Sequence, residues 1–156
     1  MIQEFLVNGE AIPAARPRSS LAKNSNKLIV YKPKDDVDWQ ERIARQVRSH
    51  KNYCFSRDTA VKFVFFAFYT KPIKSVYKEP ISHSIGDLDN ISKNLQDALQ
   101  SRAIKIGRLK VKQKGLLFED DSQIVRLVCQ KFYTKAKPFV IIRVTDEIDN
   151  KECEWL

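Results

Sequence analysis

Hydrophobic and polar positions along this chain change period several times, and each change marks an element. Residues 2–7 are mostly apolar and stop at Asn8-Gly9, a strong turn pair, which predicts a short first strand. The stretch AIPAARPRSSLAKNSNK (11–27) carries two prolines, small polar residues and four cations from Arg16 to Lys27, and reads as a basic loop. LIVY (28–31) fits a short strand before Pro33. From Asp35 the period becomes helical: Val37, Ile43, Ala44 and Val47 recur on one face, with Trp39 one turn from Ile43. Asp35, Asp36 and Asp38 stand where a helix dipole favours acids, and Arg45 and Arg48 where it favours cations, so a helix is expected over about 35–50.

AVKFVFFAFYT (60–70) is rich in β-branched and aromatic residues and reads as a buried central strand. Residues 71–84, with Pro72 and Pro80, form a long connection. In GDLDNISKNLQDALQ (86–100), Ile91, Leu95, Ala98 and Leu99 share one helical face, and a helix is expected to begin near Asn90, a good N-cap residue. Residues 101–118 hold Arg102, Lys105, Arg108, Lys110, Lys112 and Lys114, with no acid until Glu119. SQIVRLVCQKFY (122–133) and PFVIIRV (138–144) read as two strands joined at TKAK, before a mildly acidic tail at about 146–156. The expected fold is α/β (α+β): a single domain over 1–156, with one mixed, partly antiparallel sheet covered by two main helices.

Composition adds a partner. Lys and Arg number 28 against 19 Asp and Glu, a formal charge of +9. The pI is near 9.5, which on one small domain points to a polyanion, most commonly nucleic acid. Cys54, Cys129 and Cys153 have no close spacing and read as free thiols. With two histidines, His50 and His83, a histidine-rich metal site is not expected. No apolar run approaches the ~20 residues of a membrane span, so a soluble, cytoplasmic protein is expected.

The candidate chemistry lies in GDLDN and FEDDS. Asp87 and Asp89, two apart in an extended approach, would project to one side, and Asp120 and Asp121 precede a strand. If the two segments are neighbours, three or four carboxylates converge, and a hard divalent cation removes their repulsion. The competing reading is that Asp pairs at such places are solvated turns. An EF-hand loop counted from Asp87 would need Gly at its sixth position and Glu at its twelfth. Ser92 and Ala98 stand there, so that reading fails. Lys93, off the face of Ile91 and Leu95, is a candidate for holding a phosphate or stabilising transition-state charge.

The DxDN, the lysine three residues on, the DAL and the DDSQ element before a strand resemble the RusA family of Holliday junction resolvases. PAARPR, Tyr31-Lys32-Pro33 and the following helix resemble that family's amino-terminal region, so the likeness spans roughly residues 8–133. The resemblance implies a magnesium-dependent endodeoxyribonuclease cutting four-way DNA junctions by paired nicks as a homodimer without organic cofactor; whether manganese replaces magnesium is left open by the sequence. The same resemblance implies a protein of the bacterial or phage-infected cell. Carried over by position, the metal ligands would be Asp87, Asp89 and Asp121, with Asp120 beside them. Lys93 would be the catalytic lysine, Asn90 a positioning or capping residue, and Arg16 and Arg18 phosphate contacts.

The chain departs from that pattern between Leu99 and Asp120, where the family uses a short connection. Here residues from about 100 to 119 form a basic insertion in which Leu109 and Val111 alternate with Arg108, Lys110 and Lys112, as in an added strand or ribbon touching DNA; a solvated loop is the competing reading of equal weight. The alternative to a nuclease is a non-catalytic basic DNA-binding protein. The nuclease alone explains four aspartates and a lysine gathered in a basic chain, since bare carboxylates repel phosphate.

Overall fold

A computed structural model describes residues 1–15, 18–21, 28–31, 33–81, 85–106 and 109–148; for most of 18–21 and 28–31 and all of 102–106 and 109–113 it describes the backbone pairing. The elements run β1 (Ile2–Asn8), β2 (Arg18–Leu21), β3 (Leu28–Tyr31), α1 (Lys34–Arg48), β4 (Val61–Thr70), α2 (Leu88–Leu99), β5 (Arg102–Ile106), β6 (Leu109–Gln113), β7 (Ile124–Thr134) and β8 (Phe139–Thr145). Of these, β2 and β5 were not separately expected as strands, β6 falls where the alternation of Leu109 and Val111 with cations suggests an added strand or ribbon, and the expected α+β class and mixed sheet are what the chain adopts. Among the described residues no helix is long and apolar enough to cross a membrane.

The main sheet has order β1-β8-β4-β7, with β4 parallel to β7 and antiparallel to β8. Although β7 and β8 are consecutive in sequence, they lie on opposite sides of β4. On β4 the side chains of Val61, Phe63, Phe65, Ala67 and Tyr69 alternate onto the helix-covered face and are fully or almost fully buried. That is the strand the dense run of β-branched and aromatic residues predicts. α1 packs on the β1 side and α2 on the β7 side, burying Ile43, Ala44 and Val47 from one helix and Ile91, Leu95 and Leu99 from the other. Full burial of such an aliphatic side chain contributes about 1.5–3 kcal/mol.

The opposite sheet face carries an aromatic row. Phe68 stacks on Phe139 at 4.3 Å and on Phe132 at 5.1 Å, and Phe66 meets Phe132 edge-on at 5.9 Å. Phe132 therefore packs, as its strand position suggests. Trp39 is also core, its Nε1 donating to Glu10 O at 2.9 Å.

The two helices are tied to each other and to the amino-terminal strap, residues 11–15 after β1. Gln40 Nε2 donates to Asn94 Oδ1 at 2.6 Å, and Asn94 Nδ2 donates to Ile12 O at 3.2 Å. Ala14 N–H donates to Asn90 O, Ala15 N–H to Asp36 Oδ2, and Tyr69 Oη to Ala11 O. Gly86, at φ +80°, lets the strap lie close: a Cβ there would meet Pro13 Cγ at 2.6 Å. The strap runs directly past the start of α2.

Candidate active site

Helix α2 begins two residues before the Asn90 expected from sequence. Asp87 is its N-cap, in extended conformation (φ −86°, ψ 150°) and without a side-chain capping bond. Leu88 packs against the core, which draws the helix start forward. Asp89 is therefore helical, in the first turn where the dipole favours an acid, and the alternation of an extended segment does not govern it. Asn90 is not the cap but a first-turn residue whose carbonyl receives the strap. Asp87, Asp89 and Lys93 are all exposed. Asp89 and Lys93, four residues apart, are neighbours on the outer face of the helix. Just upstream, half-buried Lys131 on β7 donates from Nζ to Gly86 O at 2.9 Å, a cation at the root of the turn that presents Asp87.

FEDDS lies elsewhere. Its two aspartates have different tasks. Asp120 caps a 3-10 turn, Asp121–Gln123, accepting from Ser122 N–H at 3.0 Å while Gln123 Oε1 accepts from the N–H groups of Asp120 (3.1 Å) and Glu119 (2.7 Å). Buried Gln123 then anchors the turn, its Nε2 donating to Ser56 O and Thr59 O. Hydrogen bonding from Ser122 holds the Asp120 carboxyl below the usual carboxylate range, with Arg57 adding to the effect. Asp121 is exposed, and its N–H donates to Gln100 Oε1 at 3.0 Å.

Gln100 is the C-cap of α2 and Asp87 its N-cap. The helix between has twelve residues, about 18 Å at 1.5 Å per residue. Within one chain, then, the GDLDN pair and the FEDDS pair stand at opposite ends of one helix. Among the described residues no three acidic, His or Cys side chains gather within reach of a single ion. Arg16 and Arg108 lie outside the described residues, as do the side chains of Arg18, Lys110 and Lys112.

With this geometry in view, comparison with known families decides the class: the RusA endodeoxyribonuclease family matches residues 8–106. The chain belongs to the RusA family. It is thus an endodeoxyribonuclease, a hydrolase acting on Holliday junctions. The match takes in the strap, GDLDN and α2, and ends at the last residue of β5, before Asp120 and Asp121. No individual curated protein matches the chain at a significant level.

Gln100, Gln123 and Lys131 carry the local architecture of this candidate site, and sequence reading did not single them out. Each acts through partners remote in sequence, 21 residues away for Gln100 to Asp121 and 45 for Lys131 to Gly86. Only the Gln in DDSQ carried a hint, as the fourth residue of a capping box.

Proposed function

We propose that this chain resolves four-way DNA junctions in the cytoplasm as a magnesium-dependent homodimer, with each active site drawn from both subunits. The observation that carries the reading is the exposed Asp87, Asp89 and Lys93 at one end of α2 and exposed Asp121 at the other. A two-fold axis crossing the middle of α2 sets the start of one helix against the end of its mate. Asp87 and Asp89 of one protomer then meet Asp121 of the partner subunit, and the same happens at the other end.

The surface beside α2 suits a second copy. Leu127, in register with the fully buried Phe63 on the helix side of the sheet, remains 44% exposed at the β7 edge. Val125, 60% exposed, falls where the β4–β7 register slips and has no counterpart on β4. Uncovered apolar side chains next to a functional helix favour an interface there.

The donor set fits a hard divalent ion: solvent-facing carboxylates, with the neighbouring Asp120 already committed to its turn. Asp87, Asp89 and the partner's Asp121 would hold the ion. Bound magnesium, or manganese in its place, would supply phosphoryl polarisation and activation of water. Lys93, one helical turn from Asp89, holds the scissile phosphate and stabilises the charge that builds on it. Arg16 and Arg18, next in sequence after the strap, are assigned to phosphate contact. Two equivalent sites give paired nicks.

The test is cleavage of a synthetic four-way junction with magnesium, beside a linear duplex of matching sequence and the variant Asp89→Asn. Symmetric nicks on the junction, lost in a variant that still binds it, support the reading. Binding without cutting, in magnesium or manganese, overturns it and leaves a basic DNA-binding protein.

A further inference from the structure

β5 and β6 form their own two-stranded antiparallel sheet, apart from the main sheet, with Ile106 opposite Leu109 and Arg102 opposite Gln113. Residues opposed in such a pair share a face, and alternate residues along a strand change face. The register therefore puts Ile104, Ile106, Leu109 and Val111 on one face and Lys105, Lys110 and Lys112 on the other. A one-residue slip would mix the two sets. Lys105 stands directly opposite Lys110, an unfavourable pairing of like charges in an element that is marginal on its own. A polyanion on that face reverses the penalty.

The root of the ribbon is fixed. Ser101 Oγ donates to Glu119 Oε2 at 2.5 Å and accepts from Gly115 N–H at 2.8 Å, while Leu116 N–H donates to Leu99 O. Gly115 has no room for a side chain: a Cβ would sit 1.8 Å from Phe118 O. The ribbon thus leaves from the end of α2 that holds Asp121, and five residues of strand reach about 17 Å. All of β6 lies beyond the stretch that matches the family.

We infer that the β5–β6 ribbon is a duplex-binding arm, whose Lys105, Lys110 and Lys112 face neutralises phosphates on a DNA arm flanking the cut. This deepens the nuclease reading and rests on it for the identity of the DNA. The width of a two-stranded ribbon suits the major groove. Its lysines contact phosphate and carry no sequence information, so the arm adds affinity for duplex and junction alike and leaves their ratio unchanged.

The experiment measures the dependence of DNA affinity on salt, for junction and linear duplex, with the triple variant K105Q/K110Q/K112Q. Three lost phosphate contacts lower the slope of log affinity against log salt by about 2.7, equally on both substrates. If the triple variant does not fold, K110Q alone reads the same quantity, with a slope lower by about 0.9. An unchanged slope in a folded variant overturns the arm, and so does a loss confined to the junction. The readout needs no cleavage: a lower slope in a protein that binds but never cuts supports the arm while removing the nuclease reading.

Discussion

The side-chain amide of Gln100 joins the end of α2 to Asp121. Its Oε1 accepts from Asp121 N–H at 3.0 Å, and its Nε2 donates to Asp97 Oδ1 at 3.0 Å. The helix itself thereby sets the position of a carboxylate that the loop alone would leave loose. Gln100→Ala should lower kcat for junction cleavage by about 10–100-fold while KM stays near the wild-type value, since displacement of about 1 Å at a reacting centre is that costly. The accompanying stability loss is about 1 kcal/mol. Single-turnover kinetics beside a denaturant melt separate the two, and an unaltered kcat would show that Asp121 needs no such anchor.

A composite site makes a prediction that a site within one chain cannot share. Asp89→Asn and Asp121→Asn should each be inactive as homodimers. Mixed under conditions of subunit exchange, they form heterodimers in which one site carries both changes and the other carries neither. At equal amounts about a quarter of all sites are native, so single-site nicking returns. No recovery, with exchange verified by differently tagged subunits, would place all three ligands in one chain.

Asn94 is buried between the helices, where it accepts from Gln40 and donates to Ile12 O. Asn94→Leu leaves the Gln40 amide and the Ile12 carbonyl without this partner, at a cost of about 3 kcal/mol. Adding Gln40→Leu should return part of that loss, because removing both polar partners is cheaper than stranding one. Urea unfolding of the two single variants and the double variant tests the coupling; strict additivity would speak against a shared bond.

The Asp120 carboxyl, held below the usual range by hydrogen bonding from Ser122, gives stability a pH dependence of known sign. A carboxylate with a depressed folded-state pKa contributes fully above its unfolded-state value, and the contribution disappears as pH falls through the folded-state value. Asp120→Asn should therefore melt below wild type at neutral pH, the two curves converging under acid conditions below the usual carboxylate range. Thermal melts across that range are the check, and parallel curves down to the acid limit would contradict the capping role.

The elements of the RusA-family fold were legible because local pattern and burial agree. Val61 to Tyr69 alternate into the core as the dense apolar run suggests, and Ile91, Leu95, Ala98 and Leu99 form the inner stripe of α2. What misled was local geometry near the site. Asn90 is the better cap by type, but packing of Leu88 moved the start to Asp87, since burial outweighs a cap's preference of about 1 kcal/mol.

By itself the sequence determined the chemistry available: the aspartates of GDLDN and FEDDS, Lys93 beside them, the basic surplus, and the periods that build two helices and a mixed sheet. Only tertiary structure decided how these lie. It put the two acidic pairs at opposite ends of α2, committed Asp120 to a turn while leaving Asp121 exposed, and sorted the lysines of the ribbon onto one face. The physical reason is range. Periodicity and capping are interactions between near neighbours in the chain. The distance between GDLDN and FEDDS is instead set by the length of a rigid helix and by bonds such as Gln100 to Asp121, whose partners meet only after the core has closed.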